Sequence, residues 1–236
     1  MTKSPAAVVT GASSGIGAAC ARQFLRQGWR VAALARRAPA LAELAGEFPG
    51  QLLALPVDLA DATALGAAAA RISVWEPKLA AVVCAAGDFL ARSMEATSSA
   101  EFERIWRITV WSKFYLVRAL LPLLAAESAM PRAVVHIASL AAHRDFPNET
   151  AYTAAMHGVV GLARAQDAEL RARGIRVAVV SPGTVRTPLT ERAFAPDALT
   201  GALEPRRIAE SVWYLVTTIA AGGYIPEIFH LPQNST

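Results

Sequence analysis

Ala6-Ala7-Val8-Val9-Thr10-Gly11-Ala12-Ser13-Ser14-Gly15-Ile16-Gly17 is the stretch on which the fold turns. A short apolar run of strand character leads into a turn with three glycines, and a helical pattern opens directly behind it. Glycines here permit a tight turn and a close backbone approach to a pyrophosphate. A helix N-terminus adds unpaired N–H groups and the positive end of its dipole, which favour an anion. The strand before the turn and the helix after it make a βα unit with a phosphate-binding turn the favoured reading over an ordinary connection.

Further strand-like runs recur along the chain at Val31–Leu34, Leu52–Leu55, Ala80–Cys84, Ala133–Ile137 and Val177–Val180, with a late run at Tyr224–Phe229. They are apolar throughout instead of alternating, as parallel strands covered on both faces are. Helical patterns fill the gaps. Pro39 suits the first turn of a helix over Ala40–Glu47. Ser98-Ser99-Ala100-Glu101 reads as a capping box opening a long helix toward Ala126. A second long helix is expected over Ala151–Arg173, stopped by Gly174, and a last one over Glu204–Ala220. This alternation predicts an α/β fold: a single-domain, Rossmann-type, doubly wound parallel sheet flanked by helices, spanning residues 1–236. Ligands of such sheets bind beyond the carboxyl ends of the strands.

Composition narrows the function classes. Hydrophobic residues make up 54% of the 236, which excludes disorder. The net charge is +4, yet arginines are scattered and no basic run interleaves with aromatics, so nucleic acid is not an expected partner. A basic surface favours an anionic ligand. Lysine is scarce: Lys3, Lys78 and Lys113 are the whole complement. Cys20 and Cys84 stand far apart in apolar settings and read as buried, reduced thiols. The longest apolar stretch, Tyr115–Ala126, is too short to span a bilayer. The expectation is a cytoplasmic protein with no membrane partner and no metal site.

The TGxxxGxG spacing of Thr10–Gly17 resembles that of the short-chain dehydrogenase/reductase family, and the resemblance runs nearly end to end. Asp58-Leu59 is similar to the family's adenine-contacting acid and its neighbour. Cys84-Ala85-Ala86-Gly87 resembles the NNAG turn without its asparagines. Ser181-Pro182-Gly183-Thr184-Val185-Arg186-Thr187 resembles the PG-xxx-T segment at the nicotinamide end, and Gly174-Ile175-Arg176-Val177 the stretch before the sixth strand. The resemblance implies a nicotinamide cofactor held by Gly11, Ser13, Ser14, Gly15, Ile16, Gly17, Asp58, Leu59, Ala86, Gly87, Tyr152, Pro182, Gly183 and Thr187. The second strand ends Leu34-Ala35-Arg36-Arg37. No carboxylate stands there to accept a ribose 2′-OH, while Arg36 suits a 2′-phosphate, so NADP(H) is expected over NAD(H).

By the same resemblance, Ser139 and Tyr152, 13 residues apart, contact the substrate oxygen, and the tyrosine exchanges its proton. The family's active-site lysine position carries Met156, and its long-helix asparagine position carries Thr109. Met156 has neither charge nor donor, so Tyr152 is expected to titrate near the free value of about 10. No lysine follows Lys113 in the sequence. Lys113, one turn beyond Thr109, is expected to face solvent or a second subunit, with a reach inward toward the site as the less favoured alternative. His157 lies about 100° around the helix from Met156 and points elsewhere. His143 is expected at the surface, and His136 in the core with a hydrogen bond. Two readings stay open: an NADP(H)-dependent oxidoreductase of a carbonyl/alcohol pair, or a catalytically impaired NADP(H)-binding protein acting as a regulatory subunit. Residues from Pro188 to Glu204 are expected to form a lid with Leu189, Phe194 and Leu199 on its underside. The long helices, bearing Trp106, Trp111 and Tyr115, imply a homodimer or homotetramer.

Overall fold

The computed structural model describes residues 4–124, 132–223 and 226–230. Its strands are β1 (Ala6–Thr10), β2 (Arg30–Ala35), β3 (Leu52–Pro56), β4 (Ala81–Cys84), β5 (Arg132–Ile137), β6 (Ile175–Pro182) and β7 (Glu227–His230). All pair in parallel, in the order β3-β2-β1-β4-β5-β6-β7. The order reverses between β1 and β4, so the ends of these two strands flank the crevice where such sheets bind ligands.

Helices α1 (Gly15–Arg26), α2 (Ala38–Glu47), α3 (Ala62–Trp75), α4 (Ser99–Trp106), α5 (Ser112–Leu124), α6 (Thr150–Leu170), α7 (Pro188–Ala193) and α8 (Pro205–Ala220) fill the connections. The unbroken apolar character of the strands has its reason in the packing. Ala6 and Val8 face a core shared with α3, α5 and α6, while Ala7 and Val9 face a second core shared with α1 and α8. In the second layer Phe24, Trp29 and Trp213 meet edge to face, their centroids 5.0 to 5.6 Å apart. Cys20 and Cys84 are buried free thiols in opposite layers.

The capping box forms as the sequence predicts: Ser98 accepts from the Glu101 amide while Glu101 accepts from the Ser98 amide. The helix it opens is not uniform. Arg107–Trp111 forms a π turn between α4 and α5, and residues 125 and 126 lie outside the described residues. The helix beginning before Tyr152 runs Thr150–Leu170, tightens to 3-10 over Arg171–Arg173 and stops at Gly174 with φ +69°. The late strand is shorter than the run that announced it, and Tyr224 and Ile225 lie outside the described residues. No helix among the described residues is long and apolar enough to cross a membrane.

Candidate active site

Gly11 and Gly15 hold φ of +68° and +53°, a region that favours glycine. A Cβ at Gly17 would lie 2.3 Å from the Gly11 carbonyl oxygen, and one at Gly15 would lie 2.9 Å from the Thr187 methyl. The three glycines therefore let the turn fold back onto the start of α1 and let the segment after β6 close over it. Ser14 precedes α1 without a side-chain cap, which leaves the first-turn amides open toward the crevice. This backbone cradle fits a dinucleotide pyrophosphate.

At the end of β2 both arginines are exposed. Arg37, not Arg36, bends over the glycine turn: its Nη2 donates to the Ser13 carbonyl at 3.0 Å and to Ser13 Oγ at 3.1 Å. Arg36 reaches into solvent beside it. Asp58 is exposed after β3 and accepts from the Ala60 amide at 3.0 Å, while Leu59 is buried. Ala86, after β4, donates its amide to Thr10 Oγ1 at 3.1 Å, tying the two turns that flank the crevice. Gly183 donates to the His230 carbonyl at 2.8 Å. Thr187 caps α7 in a reciprocal pair with Thr190.

Ser139 and Tyr152 come together at the carboxyl end of β5. Ser139 accepts from the Ala141 amide at 3.2 Å, which fixes its hydroxyl at the start of a short 3-10 turn. Burial pushes the Tyr152 phenol up to about 12; the Ser139 hydroxyl pulls it partly back and the Glu149 carboxylate raises it. The Phe89 ring meets Tyr152 edge-on at 4.8 Å and Phe194 at 5.2 Å. These contacts form an aromatic roof, one wall from the loop after β4 and one from the segment after α7. Nothing in the sequence around Phe89 had marked it. Leu199, expected on the lid's underside, is buried.

Met156 lies one turn along α6 from Tyr152 and is buried among apolar neighbours. His157 is exposed and turns back to the Thr153 carbonyl at 3.0 Å. His136 is wholly buried, its Nε2 2.7 Å from Gln166 Oε1, as a core histidine should be. His143 pairs at the surface with Glu227 at 2.8 Å. Thr109 is buried with no partner for its hydroxyl. Lys113 takes the less favoured, inward course. It faces neither solvent nor a free surface: it is 2% exposed and donates to the Ala86 carbonyl at 2.6 Å. The sequence signal was its position four residues after Thr109, which puts both on one helix face.

Residues 5–198 match the family model for short chain dehydrogenases, and the chain belongs to that family. It is 33% identical over 192 residues to a 2-(R)-hydroxypropyl-CoM dehydrogenase of Xanthobacter autotrophicus, covering 78% of this chain and 76% of that one. It is also 33% identical over 228 residues to a D-threitol dehydrogenase of Mycolicibacterium smegmatis, covering 91% and 86%. A metagenomic short-chain oxidoreductase solved in complex with NADP superposes with a TM-score of 0.84 at 29% identity, over 98% of both chains. The chain is accordingly an oxidoreductase of the kind that acts on alcohol/carbonyl pairs, with a nicotinamide-binding fold.

Proposed function

We propose that the chain is an NADP(H)-dependent oxidoreductase that interconverts a carbonyl and an alcohol, with Ser139 and Tyr152 holding the substrate oxygen. The observation carrying this reading is the convergence of the glycine cradle, the Ala86 turn and the Ser139–Tyr152 pair at one end of one sheet. Arg37 over Ser13, with Arg36 beside it, favours a 2′-phosphate, because a guanidinium offers a planar fork of donors and no carboxylate stands there to repel it.

When bound, the reduced cofactor supplies the hydride. Tyr152 remains protonated at neutral pH and donates its O–H to the substrate oxygen as the carbon is reduced. Ser139 donates a second hydrogen bond to that oxygen and holds it toward the phenol. Phe89 and Phe194 keep water from the phenol and favour an apolar or aromatic group on the carbonyl. Met156 stands where the family resemblance puts a lysine, so that position offers the phenol no cation.

The test is NADPH oxidation against aldehydes, ketones and diketones by the native chain and by Met156→Lys, with NADPH and NADH binding followed by fluorescence. The reading expects native turnover and tighter binding of NADPH than of NADH. Binding without native turnover, with turnover gained in Met156→Lys, supports instead the impaired cofactor-binding protein. Absence of any nucleotide binding sinks both.

A further inference from the structure

Lys113 is costly where it sits. A lysine side chain loses its hydration on burial and regains little from one carbonyl. No carboxylate among the described residues offsets that cost. The groups facing it are the Cys84 thiol on β4 and His136 on β5. From the other neighbouring segments, Arg71 of α3 and Arg107 of the π turn are both exposed. Burial brings the Lys113 ammonium down to about 8, keeps Cys84 a thiol at about 11 and keeps His136 neutral, at about 4. A leucine or methionine would fill the same space without the desolvation.

The geometry gives the ammonium a purpose. Helical side chains lean toward the helix N-terminus, so Lys113 reaches back past Thr109 to the carbonyl of Ala86. That carbonyl shares a peptide plane with the Gly87 N–H, which in a trans peptide points the opposite way. Gly87 is exposed at the crevice. The other side of Ala86 is braced by Thr10 Oγ1 and by Gly11, whose added Cβ would stand 3.1 Å from Ala86. A cation on the carbonyl polarises the whole peptide and strengthens the donor on its far side. The orphaned Thr109 hydroxyl is aimed at the same turn, 3.8 Å from where a Gly87 Cβ would be.

We propose, resting on the cofactor assignment above, that Lys113 is the cation of this site: a positioning residue that acts from α5 through the Ala86–Gly87 peptide to hold the bound cofactor, in place of a charge on α6. The test is NADPH affinity and kcat/KM across pH 6 to 9.5 for the native chain, Lys113→Met, Lys113→Gln and Lys113→Arg, with folding checked by circular dichroism. The native affinity is expected to hold below pH 8 and to weaken about tenfold above it, the size of one unit of linked pKa change. Lys113→Met and Lys113→Gln are expected to bind weakly and without that pH dependence. Lys113→Arg is expected to bind well at every pH. Glutamine keeps a donor without a charge, so Lys113→Gln matching the native affinity and profile reduces Lys113 to a hydrogen-bonding latch and overturns the proposal. So does a step near pH 8 that persists in folded Lys113→Met. Native binding with no pH dependence sinks the Lys113 assignment alone, whereas no native binding at all sinks the cofactor reading with it.

Discussion

At the scale of single residues, burial moves Tyr152 and Lys113 in opposite directions on the pH axis, because it disfavours the anion of one and the cation of the other. For Tyr152 the consequence is directional. A phenol pushed up to about 12 is protonated throughout the neutral range, so it is ready to donate and reluctant to accept. Carbonyl reduction is expected to be insensitive to Tyr152 between pH 6 and 8. Alcohol oxidation, which needs the phenolate, is expected to climb with pH to 10 and beyond. Parallel initial rates in the two directions, at cofactor concentrations that saturate the chain throughout the pH range, check this; an oxidation rate that levels off near pH 8 under those conditions would mean a phenol far more acidic than its surroundings dictate. Met156→Lys is expected to bring that plateau down, since a cation one turn away favours the phenolate.

At the scale of elements, the glycine turn is the least tolerant part of the site. Gly17→Ala sets a methyl against the Gly11 carbonyl at 2.3 Å, and backbone cannot swing away as a side-chain tip can. Overpacking of this kind costs about 1–3 kcal/mol, and the turn is expected to open, with NADPH binding lost in a fluorescence titration while the sheet stays folded. This turn was legible from sequence because glycine is an explicit statement about backbone. So were the strands, whose apolar runs encode burial on both faces, and the capping box of α4, whose partners are three residues apart. The π turn at Arg107–Trp111 was not legible: no residue type specifies an i to i+5 hydrogen bond, and the helical period persists on both sides of it. The inward direction of Lys113 was the less favoured reading because lysine is ordinarily a surface residue, and its carbonyl partner lies 27 positions away in sequence. Arg36 was the residue expected at the 2′-phosphate, yet sequence position alone does not say which of two adjacent arginines turns toward Ser13, and it is Arg37 that does.

At the scale of the whole molecule, His136 couples the centre of the sheet to acid. Burial and the nearby Lys113 lower it to about 4 from its usual 6.5. The unfolded chain takes up this proton at about 6.5 and the folded one only near 4, so the unfolded state is favoured progressively as pH falls through that window. The stability at risk is on the order of 3 kcal/mol. Urea midpoints are expected to drop between pH 6.5 and 4, and less steeply in a folded His136→Gln variant. The outer faces of α4 and α5 make a separate prediction. Phe102, Trp106 and Phe114 are 40 to 44% exposed, and the helices bearing them are expected to pair across a twofold axis. Light scattering should then give at least twice the chain mass of 24.9 kDa, and Trp106→Ser should shift it toward the monomer.

The strand order has a consequence for how the chain is made. After β3, β4 joins the free side of β1, and β5, β6 and β7 each join the outer edge of the strand before. A ribosome releasing the chain from its N-terminus therefore builds this sheet outward from β1, first on the β2 side and then on the β4 side, and no strand has to force its way between two that are already paired. Of the two open edges of the three strands made first, the one along β1 is closed by Ala81–Cys84, which leave the exit tunnel immediately ahead of the turn that completes the crevice. Vectorial synthesis and sheet growth thus run in step, which shortens the time the growing edge on the β1 side stands unpaired among other nascent chains.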